Sequence, residues 1–122
     1  AGDLLLPDWL AAAALEGLYA LAAPFVFVSR AERFGLPVLE AMARGVPVVT
    51  SDCSSMPEVA GTAAVLVDPS DVGRISQAIG DLLADPARRD AMVDAGLARA
   101  AEFSWERTAE LTAASYGRAV RG

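Results

Sequence analysis

The sequence contains no Lys, no His and no Asn, and its single cysteine is Cys53. Without His, the usual general base and the commonest metal ligand are both missing. One cysteine excludes an internal disulfide and a thiolate zinc cluster, and it suits a reducing cytoplasm. All ten cations are Arg, against sixteen acids, for a net charge of −6. Nucleic-acid binding needs clustered cations, and the pairs Arg30/Arg33 and Arg88/Arg89 are too small for it. Long apolar runs are missing too: none reaches the roughly 18 residues of a membrane span. The start "AGDLLLPDW" lacks a basic stretch, so a signal peptide is not expected.

What is present is an Ala-, Leu- and Val-rich chain, 54% hydrophobic over 122 residues, enough for one small globular domain over 1–122. Four β-like runs alternate with helical patterns: Leu4–Leu6, Phe25–Ser29, Val46–Thr50 and Ala63–Val67. Each is continuously apolar, the habit of parallel strands covered on both faces. The segments between them read as helices at Ala11–Ala22 and Pro37–Arg44, with a short turn near Pro57–Ala60. After the fourth run helices take over. Val72, Ile75, Ile79 and Leu82 share one stripe. Asp85 caps a helix opened by Pro86, and Ser104 caps a last one carrying Trp105, Ala109 and Tyr116. The fold class is therefore α/β, a Rossmann-like parallel sheet of about four strands with flanking helices and a helical tail. Doubly wound domains usually have five or six strands, so the chain is expected to be part of a longer protein, with upstream strands absent.

Ligands of open α/β sheets bind beyond the carboxyl ends of the strands. The stretch "ERFGLPVLE" lies at such an end, after "FVFVS". Gly35 allows backbone dihedrals closed to other residues, and Pro37 suits the first turn of a helix. Amides around Phe34–Leu36 and the positive end of the helix dipole form a site for an anion such as a diphosphate. Glu40, one turn in, can accept hydrogen bonds from vicinal hydroxyls beside that anion, and Glu32 can do the same for a second polyol. Taken singly, a first-turn acid is more often a dipole complement and a loop acid a solvated one.

The run "ERFGLPVLEAMARGVPVVTSDCSSMPEVAGTAAVLVDPSD", with "LEGLYA" before it and "FSWERTAE" after it, closely resembles the family-4 type glycosyltransferases (glycosyl transferases group 1) of the GT-B fold. Their signature is a Glu-x7-Glu motif. The resemblance implies the later part of a C-terminal donor-binding domain, and a retaining transferase that moves a sugar from a nucleotide-diphosphate donor to a glycan, lipid or small-molecule acceptor. By position, Glu32 resembles the first, catalytic Glu beside the transferred sugar. Phe34, Gly35 and Leu36 match the loop that meets donor sugar and phosphates. Glu40 matches the Glu that holds the ribose, and Leu10 falls near the family's base pocket. Arg33 stands where Gly is common, and Asp8 where the base-pocket pattern has Gly. The family's Arg and Lys on an upstream loop and its N-terminal acceptor domain have no counterpart here. The resemblance implies no cofactor and no obligatory metal, and the acids show no ligand spacing for one. It implies cytoplasmic action, at or near the inner face of the membrane.

Other residues have plainer roles. Ser54, Ser55 and Glu58 lie within reach of the cleft, but Ser55 as helix cap and Glu58 as first-turn acid is the commoner arrangement. Cys53 has no His or Lys to activate it. Trp9, Trp105 and Tyr116 suit core packing better than ligand stacking. Three rivals stand beside the transferase. One is a nucleotide-sugar-binding module without turnover, told apart by titration with nucleoside diphosphates. Another is a hydrolase using Glu32 and Glu40, told apart by free sugar as sole product. The third, a receiver-type domain, requires a Lys that the chain lacks.

Overall fold

The structure is a computed structural model, and it describes residues 10–21, 23–31, 34–103 and 117. The elements, in chain order, are α1 (Ala12–Leu21), β1 (Phe25–Phe27), α2 (Leu36–Ala43), β2 (Val48–Ser51), α3 (Met56–Ala60), β3 (Val65–Val67), α4 (Val72–Ala84) and α5 (Pro86–Ala101). The expected strand at Leu4–Leu6 and the helix from Ser104, with Trp9, Trp105 and Tyr116, lie outside the described residues. Among those residues the sheet has three strands in the order β1-β2-β3, all parallel. Phe25, Val26 and Phe27 face Val48, Val49 and Thr50, and Val49, Thr50 and Ser51 face Val65, Leu66 and Val67.

The central strand β2 is buried along its whole length, as a continuously apolar run in a parallel sheet should be. Its side chains alternate between faces. Val48 joins Val38, Leu39, Met42, Met56 and Val59 from α2 and α3, while Val49 joins Val65, Val67, Ala78 and Leu82 on the α4 side. Adding strands in one direction with right-handed crossovers puts both connecting helices on one face, and α2 and α3 do share one cluster.

Three expectations need correction. Among the described residues the strand β1 is not covered on both faces, and Val26 is 36% exposed. Tyr19 of α1 packs only on the opposite side, with its ring 5.5 Å from that of Phe25. In α4, Val72 is 77% exposed and Ala78 is buried. Ala78 lies one turn before fully buried Leu82, and Val72 sits in the first turn ahead of the sheet contact. Ser55 stands at the N-cap of α3, but its hydroxyl makes no capping bond. Its φ of −84° and ψ of −5° are already helical, whereas capping uses the β region. The other caps form as the sequence suggests: Asp71 and Asp85 accept from the amides of Arg74 and Arg88 at 2.9 and 3.0 Å. Gly96 is the one buried residue of α5. An added Cβ there would lie 3.3 Å from Met42 Cγ, so its absence lets α5 pass close over α2. Among the described residues no helix is long and apolar enough to cross a membrane.

Candidate functional site

The carboxyl ends of three parallel strands share one rim, where their loops interlock. The buried hydroxyl of Thr50 donates to the Phe27 carbonyl at 2.6 Å, and that of Ser51 donates to the Ser29 carbonyl. The Asp52 amide donates to the Val67 carbonyl at 2.8 Å. The Cys53 thiol lies 3.7 Å from the Arg30 carbonyl, a weak-donor contact that serves the loop's shape. Asp68, just beyond β3, is held below its ordinary carboxylate range by the hydroxyl and amide of Ser70, helped by the charge of Arg30.

The "FGLP" stretch turns into α2 at this rim. Gly35 occupies the N-cap with φ 77° and ψ 37°, a left-handed conformation that an L side chain adopts only at a cost. It is buried, and an added Cβ would lie 2.5 Å from Met56 Cε at the start of α3. The amides of Val38 and Leu39 both return to the Gly35 carbonyl, at 3.0 and 3.4 Å. Pro37 has no N–H. Of the first-turn donors, the Leu36 amide therefore stays outside the helix's own ladder, at the positive end of the helix dipole.

A cavity of about 520 Å³ opens along this helix, lined by Phe34, Leu36, Leu39, Glu40, Ala43, Arg44, Ala100 and Phe103. Phe34 and Leu36 are 43% and 49% exposed. Of the residues singled out by sequence, Phe34, Leu36 and Glu40 thus border one hollow. Gly35 supports them from behind, against Met56. Leu10 is half-buried ahead of α1 and is not part of that lining. Glu32 and Arg33 lie outside the described residues, as does Asp8. Glu58 is exposed in the first turn of α3. Among the described residues no group of three His, Cys, Asp or Glu could hold a metal.

Three neighbours of the motif escaped the sequence reading. Arg44, one turn beyond Glu40, donates from Nη1 to the Glu40 carbonyl at 3.0 Å and from Nε to Glu16 at 2.8 Å, with Nη2 on the second Glu16 oxygen. Its guanidinium lies 4.9 Å from the centre of the Tyr19 ring. The fork keeps the Glu16 carboxyl below its ordinary range and raises Arg44. Burial raises the Tyr19 phenol, and the nearby charge of Glu40 adds to it. Phe103, at the end of α5, meets Phe34 edge-on with ring centres 6.1 Å apart. The spacing Glu40-to-Arg44 was a local signal, but Arg44 turns to Glu16 across 28 positions of sequence. Nothing local announces that partner, nor the meeting of Phe34 with Phe103.

The sequence and the fold are shared with known proteins. The family model for glycosyl transferases group 1 matches residues 3–85. O-antigen chain mannosyltransferase B of Escherichia coli is 48% identical over 102 residues, covering 84% of this chain and 27% of that protein. The MMP alpha-(1->4)-mannosyltransferase of Mycolicibacterium hassiacum is 40% identical over 110 residues, covering 87% and 27%. The D-inositol 3-phosphate glycosyltransferase of Segniliparus rotundus is 41% identical over 112 residues, covering 90% and 25%. Among solved structures, sucrose-phosphate synthase from Thermosynechococcus elongatus superposes with a TM-score of 0.67 at 34% identity, over 79% of this chain and 25% of that one. The chain spans about a quarter of the length of these relatives. The α/β fold, with its parallel sheet and flanking helices, agrees with the GT-B architecture expected from the motif. The chain belongs to the group 1 glycosyl transferases.

Proposed function

We propose that the chain is the donor-binding part of a retaining glycosyltransferase that takes its sugar from a nucleotide-diphosphate donor. The observation that carries this reading is that Phe34, Leu36 and Glu40 border one hollow, which runs along a helix entered through the left-handed Gly35 turn. In this reading the Leu36 amide and the positive end of α2 receive the diphosphate, and the Glu40 carboxylate accepts from the ribose hydroxyls. Glu32, separated by seven residues from the helix-borne Glu40 in the Glu-x7-Glu spacing, serves the transferred sugar. Transfer through an oxocarbenium-like transition state builds charge on the departing diphosphate. Fixed amides and a helix terminus stabilise such charge because they need not reorganise as it develops. The reading assigns that task to the protein's dipoles and requires no obligatory metal.

The acceptor belongs to parts of the protein beyond this chain, working in the cytoplasm at the inner face of the membrane. Two relatives named mannosyltransferases favour a mannosyl donor. Because the chain spans about a quarter of its relatives, a second reading holds for the chain in isolation: it binds nucleotide sugar without turning it over.

The test is a thermal-shift panel of sugar nucleotides, GDP-mannose among them, on the full-length protein and its Glu40→Ala variant. A ligand that prefers the native state raises its melting temperature. One donor should give a selective rise that Glu40→Ala abolishes. An equal rise in the variant would remove Glu40 from the site, and no rise with any donor would end the proposal.

A further inference from the structure

The end of α5 reaches the motif loop through a chain of contacts that the transfer chemistry does not itself require. Arg99 donates from Nε to the Val59 carbonyl at 2.9 Å and from Nη2 to the Glu58 carbonyl, gripping the last turn of α3. Its Nη1 pairs with Glu102 at 2.7 Å. The same guanidinium lies 4.8 Å from the centre of the Phe103 ring. Phe103 in turn meets Phe34 edge-on, at an interplanar angle of 78°. Space beside this grip is tight: a Cβ on Gly61, which follows α3, would lie 3.2 Å from Arg99 Nε.

We propose that Arg99 and Phe103 are positioning residues for the motif loop. Arg99 fixes the Phe103 ring against α3, and that ring fixes Phe34 at the mouth of the cavity. The inference rests on the reading of that cavity as the nucleotide-sugar site. Its physical basis is that a planar guanidinium holding two backbone carbonyls cannot rotate freely. A ring stacked on it offers Phe34 one edge-on position. A donor entering the cavity then meets a loop already in place, which lowers the ordering cost of binding.

The experiment measures the affinity of GDP and of UDP for the full-length protein by calorimetry, in a cycle of Phe103→Leu and Phe34→Leu, with Phe103→Tyr as the conservative variant. Phe103→Leu should weaken binding of the preferred nucleotide on the order of two- to tenfold, the range an aromatic edge contact supports. Phe103→Tyr should restore it. In the Phe34→Leu background Phe103→Leu should cause no further loss, a non-additivity that general destabilisation would not produce. Steady-state kinetics should show the loss in donor KM rather than in kcat. Arg99→Lys keeps the charge but loses the fork, and should move affinity in the same direction. It carries the test if Phe103→Leu does not fold. Unchanged affinity in Phe103→Leu, or equal loss in both backgrounds, overturns the inference while a Glu40→Ala loss leaves the donor site standing. If the wild type binds neither nucleotide, the cavity reading falls and this inference with it.

Discussion

Replacing Gly35 by Ala tests the turn on which the site is built. Two costs add. An L residue in the left-handed region costs about 1–2 kcal/mol. The new methyl also enters space held by Met56, with Cβ 2.5 Å from its Cε and 3.2 Å from its Sδ. A thioether end can often swing aside, but Met56 is fully buried in the core that α2 and α3 share. Overpacking such a site costs about 1–3 kcal/mol. The sum, about 2–5 kcal/mol, is a large share of the roughly 5–15 kcal/mol that holds a domain folded. For a chain of 122 residues it corresponds to a fall in Tm of roughly 8–20 °C. Urea unfolding followed by circular dichroism supplies the number, and repeating it in a Met56→Ala background separates the two costs. With the methionine truncated the overlap is relieved, so Gly35→Ala should cost only the backbone share, about 1–2 kcal/mol. A Gly35→Ala protein within about 0.5 kcal/mol of the wild type would refute the left-handed turn and the amide arrangement it sets up. Equal costs in both backgrounds would refute Met56 as the obstacle.

Three further perturbations address the fold and the electrostatics. Leu82→Ala empties a fully buried position beneath α4 and should cost about 2–5 kcal/mol, whereas Val72→Ala on the same helix should stay within about 0.5 kcal/mol; denaturant midpoints decide, and similar losses would restore Val72 to the core stripe. Asp71→Ala removes the carboxylate that receives the Arg74 amide, and should lower stability by about 1 kcal/mol with a fraying first turn visible in amide exchange. Arg44→Gln removes the fork that holds Glu16 below its ordinary value of 4.5; a depressed carboxyl contributes stability above that value and loses it as pH falls through the lowered one. The gap between wild type and Arg44→Gln should therefore be widest at neutral pH and low salt and narrow in acid, the remainder reporting the stack on Tyr19, and a gap that grows on acidification would be the opposite of this linkage.

Local chemistry announced much of the chain. Continuous apolar runs marked β1, β2 and β3, and Asp85-Pro86 and Gly35-x-Pro37 marked helix starts that the structure retains. These signals act within a few residues, so a single sequence carries them. What sequence did not show depends on which face meets the sheet. The α4 stripe admitted Val72 by periodicity, yet the small Ala78 is the residue pressed against Val49, Val65 and Val67. In α1, Leu15 and Leu18 stay exposed while Tyr19 is buried, because in an Ala-rich helix hydrophobicity varies too little around the axis to select a face. The site divides the same way. The motif, through local turn chemistry and its family resemblance, singled out Phe34, Leu36 and Glu40, which border the cavity, and Gly35 behind them. Tyr19, Arg44, Arg99 and Phe103 became its neighbours only through packing.

That division bears on how the site keeps its shape. The motif loop has little structure of its own to hold it; its restraints come from three directions. Met56 presses on Gly35 from the start of α3. Phe103 braces Phe34 from the end of α5. On the far side Arg44, tied to Glu16 and stacked on Tyr19, donates to the Glu40 carbonyl. Met56 belongs to the buried core, whereas Phe103 and Arg44 lie at its edge, so weakening either of these two leaves the fold with its core and its sheet. The first symptom of such a change should be a donor held more loosely, ahead of any large change in unfolding. Substitutions at Phe103 should therefore separate donor affinity from melting temperature, whereas substitutions at Leu82, which packs in the other core cluster, should move melting temperature and leave affinity per folded molecule unchanged.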